Sequence, residues 1–288
     1  MKIGINSGSF SYLNTIEAQY GRIAALGYDA VDQDLADTGA PCYRSDGAMK
    51  EHCLRIRRAA EETGLEIAQV HGPWTTDDKT PENRARTLIH MLRAVYGCHV
   101  MGSRYLIIHP QMPYGWGREE DPEFAYRLTV DLMKALMPDC EKYGVTICLE
   151  NMPFRKHRIS TMDRIVEVLR MVNHPMAGIC FDTGHSLMFG HDLGDMARMA
   201  APYLKCLHVH DNDGERDAHQ LPYYEGGQGN WDNFVTALAE IGYNGVLNLE
   251  CMGNIPDVPF DLRLHYERLT WGTGRYLADH IEAIRAGK

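Results

Sequence analysis

The sequence lacks an apolar run long enough to act as a signal peptide or to cross a bilayer. It also lacks an excess of positive charge, because 39 acidic residues outnumber 29 basic ones and give a formal net charge of -10. We therefore expect a cytoplasmic protein with no membrane partner, and we do not expect nucleic acid as its partner. The 288 residues, 44% of them hydrophobic, are enough to bury a full core.

The eight cysteines include no CxxC pair and no tight cluster. This spacing argues against a disulfide framework, and we expect no cysteine-based structural zinc site because the cysteines do not converge. Half of them lie in or just after apolar, strand-like runs, where a reduced cysteine acts as a small hydrophobe. These four are Cys148, Cys180, Cys206 and Cys251.

No GxGxxG fingerprint, phosphate-loop motif or Ser/Pro-rich linker interrupts the chain. Short apolar runs alternate with segments of helical periodicity, and glycine closes the helix in stretches such as TGLEIAQVH and YGVTICLE. The candidate strands are Lys2–Asn6, Asp29–Gln33, Glu66–His71, Tyr105–His109, Thr146–Glu150, Gly178–Asp182, Leu204–His210 and Gly245–Glu250. This pattern predicts an α/β fold, a single (β/α)8 TIM barrel over residues 1–288, with a doubly wound open sheet as the alternative.

Six of these apolar runs end in a residue that can ligate a metal or transfer a proton. The six are His71, His109, Glu150, Asp182, His210 and Glu250. In a barrel the carboxyl ends of the strands meet at one face, so we expect these side chains to converge, although each alone could be a polar cap at the solvent boundary. His185, Asp217 and His219 follow strands six and seven and are expected to extend the site.

Carboxylates with one imidazole suit Mn²⁺, Mg²⁺, Co²⁺ or Zn²⁺, so we expect a divalent metal ion as cofactor. We expect only one of His208 and His210 to face the barrel interior, and we assign that place to His210. His208 is then a core residue or a support for the metal ligands.

Several stretches together resemble the xylose isomerase-like TIM barrels, a superfamily of sugar isomerases and epimerases that also contains endonuclease IV. The resemblance runs from about Ile3 to Met252. It is carried by VHGPW, LIIHP, CLENMP, GICFDTGHS, HVHDNDGERDAH with EGGQG after it, and LNLE.

This resemblance implies a sugar isomerase or epimerase with a defined metal site. In the ketose 3-epimerases of the family, one metal is held by two glutamates, an aspartate and a histidine. The matching positions are Glu150, Asp182, His210 and Glu250. The family also implies substrate contacts from His185 and from Arg216, which follows His210 by six residues.

One departure from the epimerases concerns substrate charge. Lys156, in the basic run Arg155–Arg158, stands where the epimerases carry a glutamate. This run predicts a counter-charge for a phosphate or carboxylate on the substrate, or else a solvated loop. His71 and His109 are further candidate substrate contacts.

The chain also matches every position of the trinuclear zinc site of endonuclease IV. These positions are His71, His109, Glu150, Asp182, His185, His210, Asp217, His219 and Glu250. They imply a second metal or substrate site that involves His109, His185, Asp217 and His219. However, ENMPFRK replaces the small, glycine-containing stretch of those nucleases. A trinuclear zinc phosphodiesterase is therefore the alternative interpretation.

The expected reaction is proton transfer next to a carbonyl through a metal-stabilised enediolate, with Glu150 and Glu250 as the acid/base pair. Trp74 and Trp116 could form an apolar wall beside a small sugar substrate. A lyase acting on 3-keto-glycosides would use the same groups to eliminate rather than to reprotonate. The sequence leaves the sugar open, and a homo-oligomer is compatible with it.

Overall fold

Eight parallel strands form the centre of the computed structural model, which describes residues 1–74, 78–117, 121–251 and 258–287. The strands are β1 (Ile3–Asn6), β2 (Ala30–Asp34), β3 (Glu66–His71), β4 (Tyr105–Ile108), β5 (Thr146–Glu150), β6 (Ala177–Asp182), β7 (Leu204–His208) and β8 (Leu247–Leu249). Their order is β7-β6-β5-β4-β3-β2-β1-β8. Val209 pairs with Leu249 at the two open edges, so the sheet closes into a barrel.

Helices follow the strands in chain order and cover the outside of the barrel. In the described residues they are α1 (Ile16–Leu26), α2 (Asp46–Thr63), α3 (Pro81–Met101), α4 (Pro122–Tyr143), α5 (Met162–Val172), α6 (Thr183–Leu187), α7 (Leu193–Ala200), α8 (Trp231–Glu240) and α9 (Phe260–Arg285). Short 3-10 helices occupy Ser7–Phe10, Pro41–Arg44 and Arg158–Ser160. The predicted (β/α)8 barrel is confirmed. Gly144, with φ of 68°, ends α4 in the left-handed conformation that glycine adopts without strain.

The main hydrophobic core lies between the sheet and the helices. Phe181 of β6 meets Phe234 of α8 there edge to face, with ring centroids 6.2 Å apart. Apolar residues on alternate positions of each strand supply this layer, because successive side chains point to opposite faces. No helix among the described residues is both long and apolar enough to cross a membrane.

A second, smaller apolar cluster lies inside the barrel and consists of Ile107, Cys148, Cys180 and Cys206. The prediction that the cysteines do not converge is therefore wrong for three of them, and the sulfur atoms of Cys148 and Cys206 are 3.6 Å apart. The cause is the strand register, which places inward-facing positions of β5, β6 and β7 close together. These thiols form an apolar floor directly below the strand ends that carry the polar residues.

Candidate active site

The six side chains predicted from the strand ends are all buried. Glu150 and Asp182 are the last residues of β5 and β6, and Glu250 follows β8 directly. The exposed fraction of the six residues is at most 8%: His71 6%, His109 1%, Glu150 1%, Asp182 0%, His210 0% and Glu250 8%. The parallel strands deliver them to the carboxyl-terminal mouth of the barrel, where TIM-barrel enzymes place their chemistry.

The first group at this mouth, the carboxylate cluster, consists of Glu150, Asp182, His208 and Glu250. His208 Nδ1 lies 2.9 Å from Glu150 Oε1, 3.2 Å from Glu250 Oε2 and 3.9 Å from Asp182 Oδ2. One potential ligand atom from each residue lies within 4.8 Å of all the others. Three carboxylates buried this closely repel one another in a low-dielectric surrounding, so a bound cation would stabilise the arrangement.

The expectation that only one of His208 and His210 faces the interior is wrong. Residues two positions apart on a strand point to the same face, and both imidazoles are fully buried at the mouth. His208 occupies the place beside Glu150 and Glu250 that we predicted for His210. The Nε2 atom of His210 lies 3.0 Å from Asp182 Oδ2 instead.

A second group, the histidine cluster, consists of His185, His210, Asp217 and His219. Asp217 Oδ2 lies 3.2 Å from His185 Nε2 and 3.3 Å from His219 Nε2, and the rings of His210 and His219 stack with centroids 4.0 Å apart. Gly184 makes this packing feasible, because a Cβ atom there would lie 2.0 Å from His210 Cε1. The three residues that we expected to extend the site, His185, Asp217 and His219, therefore meet in one place with His210, whereas His109 of the implied second site belongs to another group.

A third group joins His71 and His109 to Glu150. The Nε2 atoms of His109 and His71 lie 3.1 Å and 4.0 Å from Glu150 Oε2. Burial lowers the pKa of His109 to about 4, although the Glu150 carboxylate opposes this change. The imidazole of His109 is therefore neutral near pH 7 and has a lone pair available for a ligand.

The two glutamates differ in their electrostatic surroundings in the metal-free chain. Burial raises the pKa of Glu250, and the neighbouring His208 and His219 offset this only in part. Burial acts in the same direction on Glu150, but contacts with His208 and His109 outweigh it and hold the pKa of Glu150 well below its usual range. Carboxyl groups whose pKa values are driven apart are typical of acid/base pairs.

Aromatic rings line one side of the mouth. The Trp74 ring packs on His109 with centroids 3.9 Å apart and meets the edge of Trp116 at 5.6 Å. Trp116 stacks in parallel on Phe154 at 6.0 Å and remains 55% exposed. The rings thus form the predicted apolar wall with Trp74 and Trp116. Phe154 is a member that the sequence analysis missed.

Arg216 lies at the surface, away from the buried clusters. Its side chain is 82% exposed, and its guanidinium Nη2 lies 3.4 Å from Asp213 Oδ2. Asp213 also accepts the backbone N–H groups of Glu215 and Arg216, which folds this loop back on itself. The structure therefore does not bring Arg216 to the substrate position that the family resemblance implies.

Most of the basic run Arg155–Arg158 contacts the protein. The Arg155 guanidinium donates to backbone carbonyls in the segments after β6 and β7, and His157 contacts a carbonyl in the loop after β4. Arg158 lies 3.7 Å from Glu123. Arg155, Lys156 and Arg158 are all exposed, and among the described residues no contact holds the side chain of Lys156, so it is the member of the run that a solvent-borne substrate can reach most directly.

Asp32 is a buried acidic residue that the sequence analysis did not select. It lies in the middle of β2, is fully buried, and places Oδ2 2.9 Å from His208 Nε2. An acidic residue in the middle of a buried strand, as in AVDQD of β2, is unusual and could have identified Asp32, but the prediction used only the residues at strand ends.

The donor atoms of these clusters fit a divalent metal ion. His210 Nδ1 is buried and has no hydrogen-bond partner among the described residues, and the buried Glu150 Oε2 is approached at 3.1 Å by His109 Nε2. Buried polar atoms almost always have a partner, and a carboxylate oxygen with an imidazole nitrogen suits Mn²⁺, Co²⁺ or Zn²⁺. Groups of potential ligand atoms therefore lie at the barrel mouth, and the group with Glu150, Asp182 and Glu250 contains His208 in the place predicted for His210.

Comparisons with known proteins agree with this geometry. The family model described as "Xylose isomerase-like TIM barrel" matches residues 21–265. An uncharacterized protein of Methanocaldococcus jannaschii is 29% identical over 257 residues, which cover 87% of this chain and 83% of that protein. A D-psicose 3-epimerase of Ruminiclostridium cellulolyticum is 25% identical and covers 80% and 75% of the two chains. A probable endonuclease 4 of Acholeplasma laidlawii is also 25% identical and covers 74% and 78%.

Solved structures show the same fold. The 3-keto-D-glucoside 4-epimerase of E. coli superimposes with a TM-score of 0.77 at 16% identity, over 96% of this chain and 99% of that one.

Proposed function

The chain belongs to the xylose isomerase-like TIM barrel family, and we propose that it is a divalent-metal-dependent isomerase or epimerase acting on a sugar, sugar phosphate or sugar acid. The observation that supports this most strongly is the convergence of three buried carboxylates with two histidines at the barrel mouth. The similarity to a D-psicose 3-epimerase supports the same chemistry.

Glu150 and Glu250 would perform the proton transfers. A bound divalent ion would supply Lewis acidity beside the substrate carbonyl. Because the two glutamates come from β5 and from the end of β8, they approach a bound sugar from different sides. One carboxylate would remove the proton next to the carbonyl and the other would return a proton. His185, His71 and His109 would hold sugar oxygens, with Trp74 against an apolar face of the sugar.

We propose that Glu150, Asp182, His210 and Glu250 hold the ion. The Nε2 atom of His210 and the Oδ2 atom of Asp182 lie 3.0 Å apart, a separation at which both atoms could contact one ion. Both ring nitrogens of His208 already contact carboxylates, those of Asp32 and Glu150, so His208 is better placed to hold the carboxylates than to bind the ion.

Separate alanine variants of the two histidines test this division of roles. We expect His210→Ala to weaken Mn²⁺ binding by more than about 100-fold, and His208→Ala by about 10- to 100-fold, the usual effect of losing an outer-shell contact. Isothermal titration calorimetry on the metal-free proteins measures both values. A larger loss in His208→Ala would transfer the ligand role to His208.

The exposed Lys156 predicts a preference for anionic sugars. We expect Lys156→Ala to raise KM for a phosphorylated or carboxylated substrate by about two- to fivefold, the range of an exposed charge contact, and to leave KM for the neutral sugar unchanged. Lys134→Ala, on the exposed side of α4, is the matched control. Added salt should reduce the preference. If neutral sugars are the better substrates and Lys156→Ala has no effect, the loop is only a solvated edge.

Product analysis distinguishes the possible sugar reactions. The metal-loaded protein is incubated with neutral ketoses, sugar phosphates, sugar acids and 3-keto-glycosides, and products are identified by NMR. Epimers or aldose–ketose pairs are the expected products. Release of an aglycone from a 3-keto-glycoside would instead identify a lyase. Recovery of every sugar unchanged would contradict the proposal.

A trinuclear zinc phosphodiesterase is the second candidate. The overlapping groups of potential ligands at the barrel mouth and the 25% identity to a probable endonuclease 4 favour it. Such an enzyme needs three bound metal ions and cleaves DNA at abasic sites. One tightly bound ion per chain without abasic-site cleavage would favour the sugar enzyme, whereas three zinc ions with cleavage would favour the nuclease.

A further inference from the structure

Asp32 forms a contact that crosses the barrel interior. It belongs to β2, whereas its partner His208 ends β7, three strands away around the closed sheet. The Asp32 Oδ2 atom lies 2.9 Å from His208 Nε2, and both side chains are fully buried. Asn6 and Asn248, from β1 and β8, direct their amide nitrogens at the same oxygen at 3.1 and 3.5 Å.

The chemistry of these contacts fixes which His208 nitrogens carry a proton. An ionised carboxylate only accepts hydrogen bonds, so the Asp32 contact requires a hydrogen on Nε2 of His208. The Nδ1 atom points to the opposite side, where it lies 2.9 Å from Glu150 and 3.2 Å from Glu250, and it too must carry a hydrogen to donate to these carboxylates. The His208 ring therefore bridges Asp32 on one side and the two glutamates on the other, so a change in its orientation at Asp32 also changes its contacts with Glu150 and Glu250.

Resting on the function proposed above, we infer that Asp32 is a positioning residue, which holds His208 so that its Nδ1 fixes the carboxylates of Glu150 and Glu250 for metal binding. Among the described residues, the Asp32 carboxylate contacts His208, Asn6 and Asn248 and none of the proposed ligands, so it acts on the ion site through His208. Outer-shell partners of metal ligands usually contribute about 10- to 100-fold to metal affinity or activity, and His208, held by Asp32, is such a partner of Glu150 and Glu250.

Asp32→Asn, which keeps the size of the side chain, tests the inference through metal affinity. We expect the Mn²⁺ dissociation constant, measured by calorimetry on metal-free protein, to rise by about 10- to 100-fold. The matched control is Asp34→Asn on the same strand, where the side chain is exposed and, within the described part of the chain, accepts a hydrogen bond from the N–H of Ala36 alone. Asp34→Asn should bind Mn²⁺ like the wild type. Equal affinities in wild type and Asp32→Asn would overturn the inference.

The wild-type protein provides a second test that does not depend on the folding of a variant. In histidine-labelled, Zn²⁺-loaded protein, ¹H–¹⁵N correlation spectra report which ring nitrogen of His208 is protonated, and a His208→Gln sample assigns the signal. We expect a proton on Nε2. An unprotonated Nε2 would contradict the role of Asp32. If the wild type binds no divalent ion at all, the proposed function fails, whatever the state of His208.

Discussion

Glu150→Gln and Glu250→Gln are each expected to lower kcat by about 10²- to 10⁴-fold, the usual contribution of general acid–base catalysis. Glutamine keeps the shape of the side chain but neither accepts the substrate proton nor returns one. Both glutamates also belong to the proposed metal site, so kcat must be measured at saturating Mn²⁺. Steady-state kinetics on the substrate found in the product screen provide the measurement.

The control for these variants is Glu61→Gln on the exposed surface of α2, where the carboxylate pairs with Arg57, far from the strand ends that carry the site. It should retain wild-type kcat. Circular dichroism should show that both catalytic variants keep the barrel fold. If either variant turned over substrate at a rate near that of the wild type with saturating metal, the two-carboxylate mechanism would be wrong.

Removal of divalent ions is expected to have the second large effect. Lewis-acid stabilisation is worth several kcal/mol, so chelation should reduce activity by about 10²-fold or more, and added Mn²⁺, Co²⁺ or Zn²⁺ should restore it. Stability should change in parallel, because the ion relieves repulsion among Glu150, Asp182 and Glu250. At an ion concentration 100 times the dissociation constant, we expect the Tm to rise by about 5–10 °C.

Activity assays and differential scanning fluorimetry, before and after chelation and metal return, measure both effects. Dialysis into Ca²⁺ alone serves as a control, because this larger ion requires six to eight oxygen ligands. If protein shown to be metal-free by mass spectrometry kept full activity, the reaction would not require a metal ion, and the proposed mechanism would be wrong.

Much of the barrel could be predicted from the sequence, because both periodicity and strand-end chemistry are local. The apolar run TICLE predicted β5 with the correct bounds Thr146–Glu150, and the end of β6 at Asp182 was also correct. Parallel strands then bring their carboxyl ends together whatever the details of packing. The convergence of acids and histidines follows from topology alone.

The placement of individual side chains was harder to predict. Whether His208 or His210 contacts the carboxylates depends on where β7 ends and on the ring orientations, which the order of residues does not determine. Asp32 was missed because its partner lies across the barrel and is distant in sequence. Arg216 is turned outward by the local fold around Asp213, a loop effect that strand patterns do not describe.

The most direct test of the central claim is hydrogen exchange at the carbon next to the substrate carbonyl. The Mn²⁺-loaded protein is incubated in D₂O with the sugar panel, and deuterium uptake is followed by mass spectrometry, with NMR after removal of Mn²⁺. The account predicts deuterium at that carbon in at least one sugar, with exchange lost after chelation and in Glu150→Gln and Glu250→Gln. The account would be contradicted if the metal-loaded protein exchanged hydrogen in none of the sugars and instead cleaved DNA at abasic sites.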